Sequence, residues 1–232
     1  MKEDWSKAKK DAGNIALVLD LVKKGLKDLI RGRKNIPYPF ELSGQQRRSL
    51  PLRGEAIIES ILLSSPENPK KCLLKKKGLT IKELEFKANA TGLGNRAKDN
   101  IKADLLGFDE IGTPVVGEVK ITDNNPWYAV VECVMQVSLL RSDRRFLKNW
   151  VKKERGENSK GKGTWGLVIA PEKYWRKKET KDAKQLVEEL RNKTNIRICC
   201  VSYDEKEISM AKPEKITLNV IFGNPPSTRS TK

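Results

Sequence analysis

Residues 127 to 140 are apolar almost all the way round a helix, interrupted at Glu132 and Gln136, and no other stretch constrains the fold so much. A helix that is hydrophobic on nearly every side has to be covered on nearly every side. The chain must therefore pack sheet and further helices around it. Asn124-Asn125-Pro126, just ahead of it, is a cap and first-turn pattern that starts such a helix. Its two polar residues lie one turn apart on one face, and burying them without partners is costly, so each needs a reason to be there.

At 232 residues the chain is long enough for one ordinary domain with extensions and a real hydrophobic core. Lys and Arg number 47 against 30 Asp and Glu, a formal charge of +17 scattered along the whole length. Such a field attracts a polyanion, either nucleic acid or an anionic membrane surface. Histidine is absent, which removes histidine-based acid–base chemistry, Ser-His-Asp triads and His-ligated zinc. Any catalysis has to lean on carboxylates, lysines and a hard metal ion. Cys72, Cys133, Cys199 and Cys200 contain no C-x-x-C pair of the zinc-binding kind and read as reduced thiols. The charged opening, residues 1 to 11, does not resemble a signal peptide, and no segment approaches the roughly 18 apolar residues that span a bilayer. The expectation is an intracellular, reducing, cytoplasmic location without membrane insertion.

Along the chain, residues 5 to 31 carry Ile15, Val18, Leu19, Val22, Leu26, Leu29 and Ile30 at helical spacing, with lysines on the other face. This predicts a basic amphipathic helix whose stripe packs on the domain, on a second copy in a homodimer, or on a membrane surface. Residues 32 to 52, with Gly32, Pro37, Pro39, Gly44 and Pro51, suit an extended connector. The expected layout is an N-terminal helical extension and linker over 1–52, a folded domain over 53–222 and a disordered tail over 223–232. Within the domain a helix starts at Arg53 or Gly54 and ends near Ser64, with Glu55 and Glu59 at the edge of its apolar face. Strands are expected at 80–90, 101–108 and 114–121, the last two forming a hairpin through a turn at 109–113 that contains Gly112. Residues 141 to 163 are basic and end in a Gly-rich flexible loop. A strand at 165–170, a helix at 180–193 and strands at 197–203 and 215–222 complete the pattern. Asp99, Asp109 and Asp123 fall to turns and surface, and Trp127, Trp150, Trp165 and Trp175 to the core.

Alternation on a strand puts Glu118 and Lys120 on one face with Val119 on the other, and the hairpin partner brings Asp104 alongside. Two carboxylates and a lysine then converge. Such oxygen ligands suit a Mg²⁺ or Mn²⁺ ion that keeps several waters and binds a phosphate, while the lysine orients water or stabilises charge on the phosphate. Taken alone, a Glu-x-Lys triplet is an ordinary solvated ion pair. Here it ends the apolar run Val115-Val116-Gly117, follows an acid on the preceding strand and a Glu-bearing helix, and precedes the buried helix with Gln136.

In that order the pattern, over roughly residues 53 to 170, resembles the PD-(D/E)XK nuclease superfamily. The resemblance implies an α/β fold of the restriction-endonuclease-like type, a mixed central sheet flanked by helices. It implies Asp104, Glu118 and Lys120 as catalytic residues, with Gln136 at the place of the Gln that many members carry. Asp104 and Glu118 would hold Mg²⁺, with Glu59 (Glu55 in reserve) and Val119 assigned to the same metal site. Ala103 stands where the motif's Pro would be, and Leu140 where the exonuclease-like branch has Tyr. Glu132 is left as a metal contact, a partner of Lys120 or a partner of a lysine elsewhere. Arg96 with Lys98, Arg141 with Arg144 and Arg145, and Lys160 with Lys162 are the expected phosphate contacts. The functional expectation is a Mg²⁺-dependent endodeoxyribonuclease of restriction, repair or phage defence, with RNA open as a substrate. The alternatives are a non-catalytic nucleic-acid-binding module and a membrane-surface protein.

Overall fold

The computed structural model describes residues 2–24, 40–43, 54–92, 102–121, 125–142, 144–156, 163–209 and 215–226. These residues form eight strands: β1 Phe40–Ser43, β2 Lys71–Lys76, β3 Leu79–Gly92, β4 Lys102–Asp109, β5 Pro114–Val119, β6 Trp165–Pro171, β7 Ile198–Tyr203 and β8 Lys215–Gly223. Seven α-helices accompany them: α1 Lys2–Lys10, α2 Ile15–Lys24, α3 Glu55–Leu62, α4 Pro126–Ser142, α5 Arg144–Arg155, α6 Thr180–Lys193 and α7 Glu205–Ser209, with a short 3₁₀ turn at Glu172–Arg176.

The sheet closes on itself. In order the strands run β3-β2-β8-β7-β6-β5-β4, and β4 pairs back to β3, while β1 adds antiparallel to the far end of β3. The β5–β6, β6–β7 and β2–β8 pairs are parallel and the others antiparallel. The expected open, restriction-endonuclease-like sheet is therefore corrected to a closed seven-stranded barrel with seven helices. Two features cause the closure. The 14-residue β3 shares its first half with β2 and most of its length with β4, bending at register shifts around Ala88. Gly107 on β4 lies so close to β3 that a Cβ there would stand 2.2 Å from the Glu85 carbonyl oxygen. The strand that completes the ring, β2, lies where no strand was expected, and it joins β3 through Lys77 and Gly78, both at positive φ, the pattern of a tight hairpin turn.

β5, β6 and β7 are buried on both faces. Inside the barrel, Leu74, Leu84, Phe86, Leu105, Val115, Val119, Leu167, Ile169 and Val201 pack together, and α3 adds Ile58 and Leu62. Outside it, α4 packs with α1, α2, α5 and α6 against the other face of the sheet through Trp127, Val130, Val134, Leu186 and Phe108. This double cover explains why α4 is apolar on nearly every side.

The N-terminal segment departs from the expected single helix. Asp11 to Asn14 interrupts it, with Gly13 at φ 88° and the Asn14 side-chain oxygen accepting the Leu17 N–H at 3.1 Å as a cap. Val18, Leu19 and Leu21 are buried in the same core as α4. The described part of the apolar stripe is thus covered by the chain's own domain, the first of the three expected arrangements; Leu26, Leu29 and Ile30 lie outside the described residues. Residues 144–155, for which no element was expected, form a helix with Phe146 and Trp150 buried. The four cysteines are free and buried, and the four tryptophans assigned to the core are buried. Among the described residues no helix is long and apolar enough to cross a membrane.

Candidate active site

Leu105 pairs with Gly117 in the β4–β5 ladder, and the next step of that register sets Asp104 opposite Glu118. The local sequence produces this directly: the 109–113 turn fixes the hairpin, and Gly117 leaves room inside, where a Cβ would meet Leu105 at 2.9 Å. Val115 and Val119 turn into the barrel, so Glu118 and Lys120 face outward towards α4. Two acids directly opposite each other repel. They are held there by specific partners.

Glu118, 2% exposed, receives the Gln136 amide on one oxygen and the Lys120 ammonium at 2.5 Å on the other. Asp104 accepts the Val119 backbone N–H at 2.8 Å. Lys120, 6% exposed, also faces Glu132 at 3.4 Å and Glu55 at 3.9 Å, and its own N–H donates to the Ile169 carbonyl. Glu132 in turn takes a 3.1 Å ion pair from Lys9 of α1. Four acids, Asp104, Glu118, Glu132 and Glu55, thus stand around Lys120, with Lys9 behind Glu132 and Glu59 close enough to Asp104 to act on its charge.

The electrostatics follow from that excess. Burial pushes the Asp104 carboxyl up to about 7; Lys120 and the Val119 N–H oppose the rise, and Glu59 and Glu55 add to it. Glu118 is raised well above the usual carboxylate range by burial, then by Asp104 and Glu132. Burial works against the Lys120 ammonium, but Glu118, Glu132 and Asp104 outweigh it and raise its pKa. Glu132 goes the other way: burial would raise it, yet Lys120 and Lys9 hold it below its ordinary value.

Comparison with family models, with curated proteins and with solved structures found no match.

Of the expected site residues, Asp104, Glu118, Lys120, Gln136, Glu59 and Glu55 come together, and Val119 joins them through its N–H on Asp104. Among the described residues no three acids or cysteines form a ready-made metal cage, and Lys120 stands among the carboxylates. The donor set still fits a hard divalent cation: it is all carboxylate oxygen, and its negative charge exceeds what the lysines answer. Arg141 lies nine residues beyond Glu132, roughly 14 Å along the α4 axis at 1.5 Å per residue, and Arg144 begins the next helix. Arg96, Lys98, Lys160, Lys162 and the Arg145 side chain lie outside the described residues, as do Asp99 and Asp123. Asp109, expected at the surface, is in its turn but fully buried.

Three residues at the site carried no local sequence signal. Lys9 is one of many lysines in a charged segment. Tyr128 lies under the Lys9 ammonium, 4.9 Å from its ring centre. Tyr174 is pushed up by burial and lies close enough to Lys120, Glu118 and Glu55 to respond to their charge, and its hydroxyl donates to the Asn125 carbonyl at 2.8 Å.

Proposed function

We propose that this chain is a metal-dependent phosphodiesterase that cleaves nucleic acid, DNA first, at the Asp104–Glu118–Lys120 centre. The observation that carries this reading is the crowd of buried carboxylates around one lysine, with Asp104 and Glu118 both pushed towards protonation. A site that accumulates like charge in this way favours a cation. Asp104 and Glu118, with Glu59 from α3, would hold Mg²⁺ or Mn²⁺, which supplies polarisation of a phosphoryl oxygen and activation of water. Gln136 fixes the Glu118 carboxylate, and the Val119 N–H fixes that of Asp104. Lys120, drawn off Glu118, is placed to stabilise charge on the phosphate. Access is from the α3 side, where Asp104, Glu55 and Glu59 are partly exposed.

The order of acid on β4, Glu-x-Lys on β5 and Gln on the following helix supports kinship of chemistry with the PD-(D/E)XK superfamily, here carried by a closed barrel. The excess charge of +17 supports a polyanionic substrate. One observation favours a second reading, a non-catalytic nucleic-acid-binding module: both Glu118 oxygens are already engaged, by Lys120 and Gln136.

Incubation of the purified chain with plasmid, linear, single-stranded and branched DNA, and with RNA, in Mg²⁺ or in chelator separates the two. Cleavage in Mg²⁺ alone is the expected result; binding without cleavage under every condition supports the module. In both cases duplex affinity should fall steeply as salt rises, through counterion release. A flat salt response would contradict a nucleic-acid partner.

A further inference from the structure

We propose that Glu132 is a second acceptor for the Lys120 ammonium, and that Lys9 sets how strongly it competes with Glu118, which makes α1 part of the site. The proposal rests on Lys120 as the lysine of the candidate centre, not on nuclease activity itself. Glu132 uses its two oxygens separately, one on Lys9 at 3.1 Å and the other on Lys120 at 3.4 Å. It stands one turn before Gln136, so a single face of α4 delivers one residue to each member of the Glu118–Lys120 pair.

Lys9 is not a loose surface lysine. Its side chain is 15% exposed, its ammonium lies over the Tyr128 ring and 3.5 Å from the Tyr128 hydroxyl, and its helix is fastened at the neighbouring residue. That fastening is a 2.8 Å bond from the Trp127 indole N–H to the Ala8 carbonyl, with Trp5 and Ala8 buried beside it. Charge on Glu132 that answers Lys9 is less available to Lys120. The consequence has a sign. Without Lys9, Glu132 grips Lys120 harder and Glu118 is released; without the Glu132 charge, Lys120 falls back on Glu118. A Lys9–Glu132 pair that merely pinned α1 would loosen the site in both cases.

Lys9→Met and Glu132→Gln keep the side-chain shapes and test this. In metal-free protein, acylation of Lys120 by acetic anhydride is followed by peptide mass spectrometry, with exposed Lys181 as the internal reference. Glu132→Gln should speed Lys120 acylation by about threefold, the scale of one partly exposed ion pair, Lys9→Met should slow it, and Lys9→Arg should restore the wild-type rate. Calorimetry with Mn²⁺ should show tighter binding for Lys9→Met and weaker binding for Glu132→Gln. Shifts of the acylation rate in the same direction in both variants, or no shift in either, overturn the proposal; Glu132→Met replaces Glu132→Gln, and Lys9→Gln replaces Lys9→Met, where the first does not fold by circular dichroism. A wild-type chain that binds no Mn²⁺ would sink the metal reading, and the acylation rates, taken without metal, decide the lysine proposal separately.

Discussion

The β4–β5 hairpin buries charge at both ends, and the two ends handle it differently. At the turn, Asp109 is fully buried, gives one oxygen to the Ile111 and Thr113 backbone N–H groups and faces the Lys82 ammonium at 3.4 Å with the other. Lys82, 4% exposed, also pairs with Glu110 at 3.1 Å, Glu110 takes the Glu83 N–H, and Arg155 donates to the Asp109 carbonyl. Two cations, Lys82 and Arg155, stand with two acids there, Asp109 and Glu110, although the Asp109 oxygen that faces Lys82 accepts no hydrogen bond. At the open end, Asp104 and Glu118 oppose each other among three more acids, and the partners in hand leave both carboxyls raised. Balanced charge holds the turn together; unbalanced charge at the other end is a place that wants a ligand.

The two ends should part most sharply on the loss of Lys82. Lys82→Met leaves Asp109 buried without its cation and should cost about 3–5 kcal/mol, read as a fall in the urea midpoint. Asp104→Asn, which removes a charge the fold disfavours, should leave stability unchanged or higher. Equal losses in the two variants would mean that both ends are structural.

Next in size is the closure that holds the two ends in one ring. Gly107→Ala forces a methyl against the Glu85 carbonyl and Phe86 Cα, so it should destabilise by about 1–3 kcal/mol and speed hydrogen exchange of the β3–β4 amides. Wild-type exchange in that variant would argue against the closed barrel.

A further difference between the two ends concerns pH. Below the usual 3.8, folded and unfolded Asp104 both hold the proton; between 3.8 and about 7 the unfolded chain releases it while the folded one keeps it. Metal-free stability should therefore fall as pH rises through that window and level off above it. Asp104→Asn should flatten the slope without abolishing it, since Glu118 is raised as well. A wild-type slope in the variant would show that Asp104 is not crowded.

The Asp104–Glu118 opposition was legible because it is local: alternation, Gly112 and a short turn determine it. The buried state of α4 was legible from its apolarity, and α6 matches its expected span of 180–193. β2 was hidden because Lys71–Lys76 reads as polar, and only its partners reveal that Cys72 and Leu74 point into the barrel. Its parallel pairing with β8 joins residues far apart in sequence, which no local pattern encodes. α5 was hidden by its basic composition, although Phe146, Leu147, Trp150 and Val151 have helical spacing. Lys9 and Glu132 are 123 residues apart, so Glu132 had three open roles until the fold brought two lysines to it.

If the crowded end of the hairpin is a metal-dependent cleavage centre, single-turnover cleavage of DNA in Mg²⁺ by three folded proteins will separate its parts. Wild type should cut. Asp104→Asn, which exchanges an anionic ligand for a neutral amide of the same shape, should not. Lys120→Ala should bind DNA with the metal and cut at least about a hundredfold more slowly, the usual scale for losing one charge-stabilising group. Cleavage at the wild-type rate by both variants would contradict the assignment of the chemistry to Asp104, Glu118 and Lys120.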